Sequence, residues 1–230
     1  MKNATIITAV FLLSISFISR QAALADEPVP VTKVKIRIEP SLFYGFGSAN
    51  NKVGSTIDGR DVNISGGGGC GYGITGGYCG SGALDVDLTV DSQNSVLIPK
   101  LDNGSGDFRR TGVLLTAKYK LPLKKSYQHI KFGAGAGYYF PNALAIDLTP
   151  AGMSKQEVSY NGSAGVHFTL DFENYFGKSS SWSVGMRYNM VEYKANKFVN
   201  NSVTLPVDLL KDQYRNLSGD GLDFIFALMF

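Results

Sequence analysis

Few residues of this 230-residue chain have the types and spacing for chemistry. Cys70 and Cys79 lie in a glycine-rich run that extends from Gly66 to Gly80. In an exported protein such a pair predicts a disulfide closing a small outer loop. No histidine lies near enough in sequence to make it a metal site, and the glycines lack the strand–turn–helix setting of a phosphate loop. His129 and His167 are the only histidines. His167 shares a strand face with Ser163 and Asp171, the residue types of a hydrolase triad. Same-face residues four apart on a strand stand roughly 13 Å apart, too far for hydrogen-bonded relay within that strand. His129 starts its strand on the side away from the outer leaflet, where lipid-modifying enzymes work. The residues therefore predict no catalytic centre, no cofactor and no metal.

The elements that must carry these side chains show a period of two. Val34, Ile36, Ile38, Leu42, Tyr44 and Phe46 oppose Lys35, Arg37, Glu39, Ser41, Gly45 and Gly47. Val113, Leu115, Ala117, Tyr119 and Leu121 oppose Leu114, Thr116, Lys118 and Lys120. Ile130, Phe132, Ala134, Ala136, Tyr138 and Phe140 oppose His129, Lys131, Gly133, Gly135, Gly137 and Tyr139. The same alternation runs from Tyr160 to Glu173, from Trp182 to Met190, and from Leu222 to Phe230. Each stretch reaches the roughly 9–11 residues that a tilted strand needs to cross a bilayer. The apolar faces belong to lipid and the polar faces to a lumen. Lys118, Lys131, Gly133, Gly135, Gly137, His167, Asp171 and Arg187 are accordingly predicted to line that lumen. So are Arg37, Glu39, Asp85, Asp87, Glu173 and Asp223.

Two further crossings are expected between residues 84 and 101, separated by a turn at Asp91-Ser92-Gln93-Asn94. The prediction is an all-β, antiparallel up-and-down transmembrane barrel of eight strands. Short turns near 91–94, 123–128 and 177–181 alternate with longer segments near 49–83, 102–108, 141–156 and 197–218. That asymmetry places the long loops outside the cell. Two of them are unusually apolar, with Leu144, Ile146 and Leu148 in one and Val203, Leu205, Val207, Leu209 and Leu210 in the other.

Both termini fit a bacterial outer-membrane location. Lys2, the apolar stretch Ile6–Ile18 and Ala23-Leu24-Ala25 form the layout of a secretory signal peptide over residues 1–25, with the barrel domain over 26–230. The stretch is shorter than the roughly 20 residues of a membrane-spanning helix. Its removal takes away Lys2 and Arg20 and no acid, so the formal charge falls from +3 to +1. Such a balance argues against nucleic acid as a partner. At the other end Phe226, Leu228 and Phe230 share an apolar face that ends on an aromatic carboxyl terminus. This resembles the assembly signal of outer-membrane proteins, which implies the barrel-assembly machinery and outer-membrane lipid as partners.

From about residue 109 onward the order of pieces resembles the OmpW family of small outer-membrane barrels. The matching pieces are a strand ending near Lys118-Tyr119, a short turn, and Lys131-Phe132-Gly133-Ala134-Gly135-Ala136-Gly137-Tyr138. Ala164-Gly165-Val166 and Trp182-Ser183-Val184-Gly185-Met186-Arg187-Tyr188 follow. The segment 66–82 has no counterpart in that pattern. The resemblance implies a porin-like protein that passes or binds small hydrophobic molecules, and it transfers no catalytic residue, so the chain is expected not to be an enzyme. The alternative is a structural or adhesive surface barrel with a plugged lumen and no transport.

Overall fold

The computed structural model describes residues 36–56, 59–79, 83–99, 104–123, 127–149, 154–176 and 180–230. The expected signal peptide and Lys35 lie outside them. The strands are β1 (Ile36–Gly47), β2 (Asn51–Ser55), β3 (Asp61–Ile64), β4 (Gly69–Cys79), β5 (Leu84–Val96), β6 (Ser105–Pro122), β7 (Gln128–Pro141) and β8 (Leu144–Asp147). They continue with β9 (Lys155–Tyr160), β10 (Ser163–Tyr175), β11 (Ser181–Met190), β12 (Glu192–Asn200), β13 (Val203–Leu205), β14 (Asn216–Ser218) and β15 (Gly221–Met229).

Eight of these close a barrel in the order β1, β4, β5, β6, β7, β10, β11, β15, with β15 pairing back onto β1. Every neighbour in the ring is antiparallel. Phe230 completes the seam by exchanging backbone hydrogen bonds with Ile38. No helix among the described residues is long and apolar enough to cross a membrane. Leu42, Phe46, Ile74, Leu88, Leu115, Phe132, Phe168 and Phe226 stay exposed around the outer wall. A belt of that kind on a sheet without edges is what a hydrocarbon environment demands.

The second and third crossings differ from the sequence-based expectation. The segment 69–79 is not an outer loop but β4, and 84–96 is one unbroken strand, β5. Asp91-Ser92-Gln93-Asn94 is therefore no turn. Asp91 and Gln93 are buried in the lumen, and β5 pairs with β4 and β6 along its length. The cysteine expectation falls with it. Cys70 and Cys79 lie nine residues apart on one extended strand, a separation of about 30 Å at strand rise. Their odd spacing also points them to opposite faces, and a disulfide needs Cα atoms within about 7 Å. Both thiols are free.

Beyond the barrel on the long-loop side much of the chain continues in sheet, with a 3-10 turn at Val207–Leu209 and a short helix at Asp212–Arg215 in the last loop. From Ser105 to Asp107, β6 pairs with β8. Strand β8 pairs with β9, β9 with β12, and β12 with β13 and β14. The hairpin β2–β3 is tied in by the bridge between Asn63 and Ile98.

Candidate functional site

The lumen is filled by two ionic layers. The layer nearer the short turns is organised by Arg37, whose guanidinium meets Glu39 at 2.6 Å, Asp85 at 2.8 Å and Asp87 at 2.6 Å. Lys118 bridges Asp87 at 3.1 Å and Asp171 at 2.9 Å, linking β5 to β10 across β6 and β7. Lys131 holds Glu173 at 2.9 Å and Asp85 at 3.4 Å, and Lys120 reaches Asp85 at 3.2 Å. Cys79 adds its sulfur as an acceptor for Arg37, 2.8 Å away.

The second layer centres on Asp223, which is fully buried. It accepts hydrogen bonds from Arg187, from Asn189 at 2.7 Å and from Gln93 at 3.1 Å. Arg187 also donates to Asp91 at 2.6 Å. Thr169 lies opposite Arg187 on β10, and the guanidinium stands 5.3 Å from the centre of the Phe43 ring. Arg110 donates its Nε proton to Gln93 and stacks 5.0 Å from the centre of the Tyr139 ring.

Between the layers lies a cavity of about 50 Å³, bordered by Ser41, Thr75, Thr116, Lys118, Asp171 and Arg187. That is room for a few waters rather than for a solute. An eight-stranded barrel is narrow enough for its own side chains to fill it, and here they do.

The three lumen glycines of β7 belong to this filling. The sequence allowed Gly133, Gly135 and Gly137 to leave one wall bare. Instead neighbours occupy the space. A Cβ at Gly133 would fall 2.8 Å from Lys118 Cγ, and one at Gly135 would fall 2.6 Å from His167 Nε2 as well as striking the Leu115 carbonyl. At Gly137 it would strike the Leu114 side chain. His167 is buried over Gly135 and shares a 2.8 Å hydrogen bond with Thr116. His129 stacks edge-on with Tyr175 near the short-turn end.

Above the ionic layers the loops close over an apolar compartment. Its buried members include Ile64, Leu97, Phe108, Leu144, Ile146, Val158, Phe198, Leu210 and Leu217. The apolar loop residues divide between inside and outside. Leu144, Ile146 and Leu210 are buried in the compartment, and Leu148, Leu205 and Val207 pack against it. Val203 and Leu209 point to solvent. Outside the wall, Phe226, Leu228 and Phe230 face outward at the closing strand, as does Cys70 on β4.

Sequence reasoning put Asn189 and Tyr139 on inward faces but missed Gln93 and Arg110 in the second layer and Tyr193 above it. Arg110 was within reach, because it falls in phase with Thr116 and Lys118 on the inward face of β6.

A closed barrel with a lipid-facing belt, a filled polar interior and long loops on one side defines a small outer-membrane β-barrel protein. The crystal structure of the outer membrane protein OprG from Pseudomonas aeruginosa superposes with a TM-score of 0.60 at 13% identity, over 87% of this chain and 97% of that one. Neisserial surface protein A matches with a TM-score of 0.49 at 14% identity, over 85% and 96%. The outer membrane protein AlkL, determined in lipid bilayers, matches at 0.47 and 13% identity, over 89% and 95%. The first of these places the chain in the fold of the small eight-stranded outer-membrane barrels, OprG among them. No protein-family model and no curated protein matches the sequence.

Proposed function

We propose that this barrel takes small hydrophobic molecules into the apolar compartment beneath its long loops, and that its lumen is a plug rather than an axial passage. The observation that carries the reading is the division of the interior. Paired charges line the membrane-spanning part around a cavity of about 50 Å³, whereas buried apolar side chains gather at the mouth. An apolar solute gains by burial among such side chains, roughly 25 cal/mol per Å² of its surface, and would lose by entering a desolvated ionic layer. On this reading the chain is exported by a cleaved leader over residues 1–25. It is then inserted by the barrel-assembly machinery through Phe226, Leu228 and Phe230.

Methyl NMR on the lipid-embedded barrel tests the reading with n-octanol as probe. Shifts should appear at Leu144, Ile146 and Leu217 of the compartment, beyond those at lipid-facing Leu42 and Leu115. Shifts confined to the lipid-facing methyls would overturn the reading and leave a purely structural surface barrel.

A further inference from the structure

At the boundary between the second ionic layer and the apolar compartment lies a buried cation, Arg110, whose hydrogen bonding is incomplete. Arg110 is 1% exposed, and of its five N–H groups Nε–H alone makes a well-formed hydrogen bond, to the Gln93 side-chain oxygen at 2.6 Å, while the Tyr193 phenol lies beside the guanidinium. Nη1 and Nη2 are buried without a hydrogen bond. Its ion pair with Asp223 is long, 3.7 Å from Nη2, to a carboxylate oxygen that also accepts from Arg187 and Asn189. Asp91 is likewise taken by Arg187. Two phenol hydroxyls around it are also buried without a well-formed hydrogen bond: that of Tyr193, which faces Arg110, and that of Tyr160, which faces Tyr214. All three belong to one patch. Phe108, two residues before Arg110 on the same inward face, packs against both Tyr160 and Tyr193, with ring centres 6.0 and 5.7 Å away. Leaving a buried polar group unpaired costs roughly 1–3 kcal/mol, and more for a charged one. Buried groups of that kind in native proteins are nearly always answered by something.

The geometry points to a head-group site for an amphipathic carboxylate at the floor of the compartment. Its carboxyl group lies on the free edge of Arg110 beside the Tyr193 hydroxyl, and its apolar body lies among Phe108, Tyr160, Leu144 and Ile146. A planar carboxylate is what a guanidinium fork matches with two parallel hydrogen bonds. The Tyr193 hydroxyl donates to the same carboxylate. The inference rests on the proposed uptake of hydrophobic molecules and adds that the preferred ones carry one carboxylate. Entry parts the loop hairpins that meet over the mouth, since Leu97, Ile146 and Leu217 come from three different loops.

The test compares octanoate with n-octanol by calorimetric titration of the barrel in phosphocholine nanodiscs, with empty nanodiscs as the reference. At neutral pH octanoate should bind at least tenfold more tightly than octanol. The preference should disappear as pH falls through octanoate's own carboxyl pKa, and also in Arg110→Gln. Should that variant fail to fold, Arg110→Lys removes the fork but keeps the charge, and Tyr193→Phe removes one donor. Each should reduce the preference. Equal binding of the two probes would overturn the head-group site while leaving hydrophobic uptake standing, and would assign the free N–H groups to water. Binding of neither probe would overturn both. A preference that survives Arg110→Gln, or both Arg110→Lys and Tyr193→Phe, would also overturn it.

Discussion

Replacing Asp223 with Ala tests how the second ionic layer is held. The carboxylate is fully buried and accepts from Arg187 at 3.0 and 3.3 Å, Asn189 at 2.7 Å and Gln93 at 3.1 Å. Without it Arg187 retains only Asp91, and Arg110 loses its nearest carboxylate. Breaking a buried ion pair by removing one partner costs about 3–5 kcal/mol. The orphaned donor of Asn189 would add about 1–3 kcal/mol if nothing replaced its acceptor. The space vacated borders other polar groups, so a water can take part of the acceptor role, and the net expectation is about 3–5 kcal/mol rather than the sum. Asp223→Asn keeps the volume and one acceptor and should cost less. Reversible urea unfolding of the barrel in lipid vesicles, followed through Trp182, the single tryptophan, reads the difference. Combining Asp223→Leu with Arg187→Met should recover part of the loss, because an apolar pair of similar volume leaves no buried charge unanswered. A cost below about 1 kcal/mol for Asp223→Ala would mean that this layer is open to water, and the plug would lose half its basis.

Gly135→Leu should destabilise by about 1–3 kcal/mol or more through collision with His167 and the Leu115 carbonyl, again read by urea unfolding; a neutral result would show that the wall has spare room. Cys70 and Cys79 should both react with a small membrane-permeant maleimide without prior reduction, and an intramolecular disulfide in mass spectra of protein from cells would contradict the placement of β4. Deleting Phe230 should lower outer-membrane insertion by more than its burial accounts for, roughly 1.5–3 kcal/mol, and wild-type levels in fractionated cells would remove its assembly role. Asp147, in the third long loop, accepts hydrogen bonds from the Thr149 backbone at 3.0 Å and its hydroxyl at 2.6 Å, which hold its carboxyl below the usual range. A depressed folded pKa contributes order above the unfolded value and loses it as pH falls through the folded one. The Thr149 amide resonance should therefore stay fixed at neutral pH and move only below the ordinary carboxylate range.

Most of the barrel was legible because its walls alternate. Strands β1, β7, β10, β11 and β15 follow the outward aromatic and aliphatic positions that the sequence displays; keeping like faces opposite left Thr169 or Asp171 as the partner of Arg187, and the register selects Thr169. Strand β4 was not legible because glycine has low strand propensity and carries no side chain to mark a face. Its glycines have a physical reason that only the packed lumen reveals. A Cβ at Gly77 would fall 2.6 Å from both Arg37 Nε and Asp87 Oδ1, and one at Gly71 would strike the Phe43 ring. The strand is bare so that neighbouring strands can fill the interior. The outward residues Tyr72, Ile74 and Tyr78 held the alternation all along. Asp91 to Asn94 misled for the opposite reason, since a polar run that reads as a turn in water is ordinary inside a polar barrel. The second ionic layer was only half legible: Arg187 and Asp223 were read as lumen residues, but Gln93 lay in a stretch assigned to a turn and Arg110 fell between a loop read to about 108 and a strand read from Val113.

The most direct measurement of the central claim, that the lumen is a plug, is the conductance of the refolded barrel in a planar lipid bilayer. Paired charges that leave about 50 Å³ predict no steady single-channel current at any moderate voltage. A stable open-channel current from the wild-type barrel would contradict the plug and return the lumen to the path of transport.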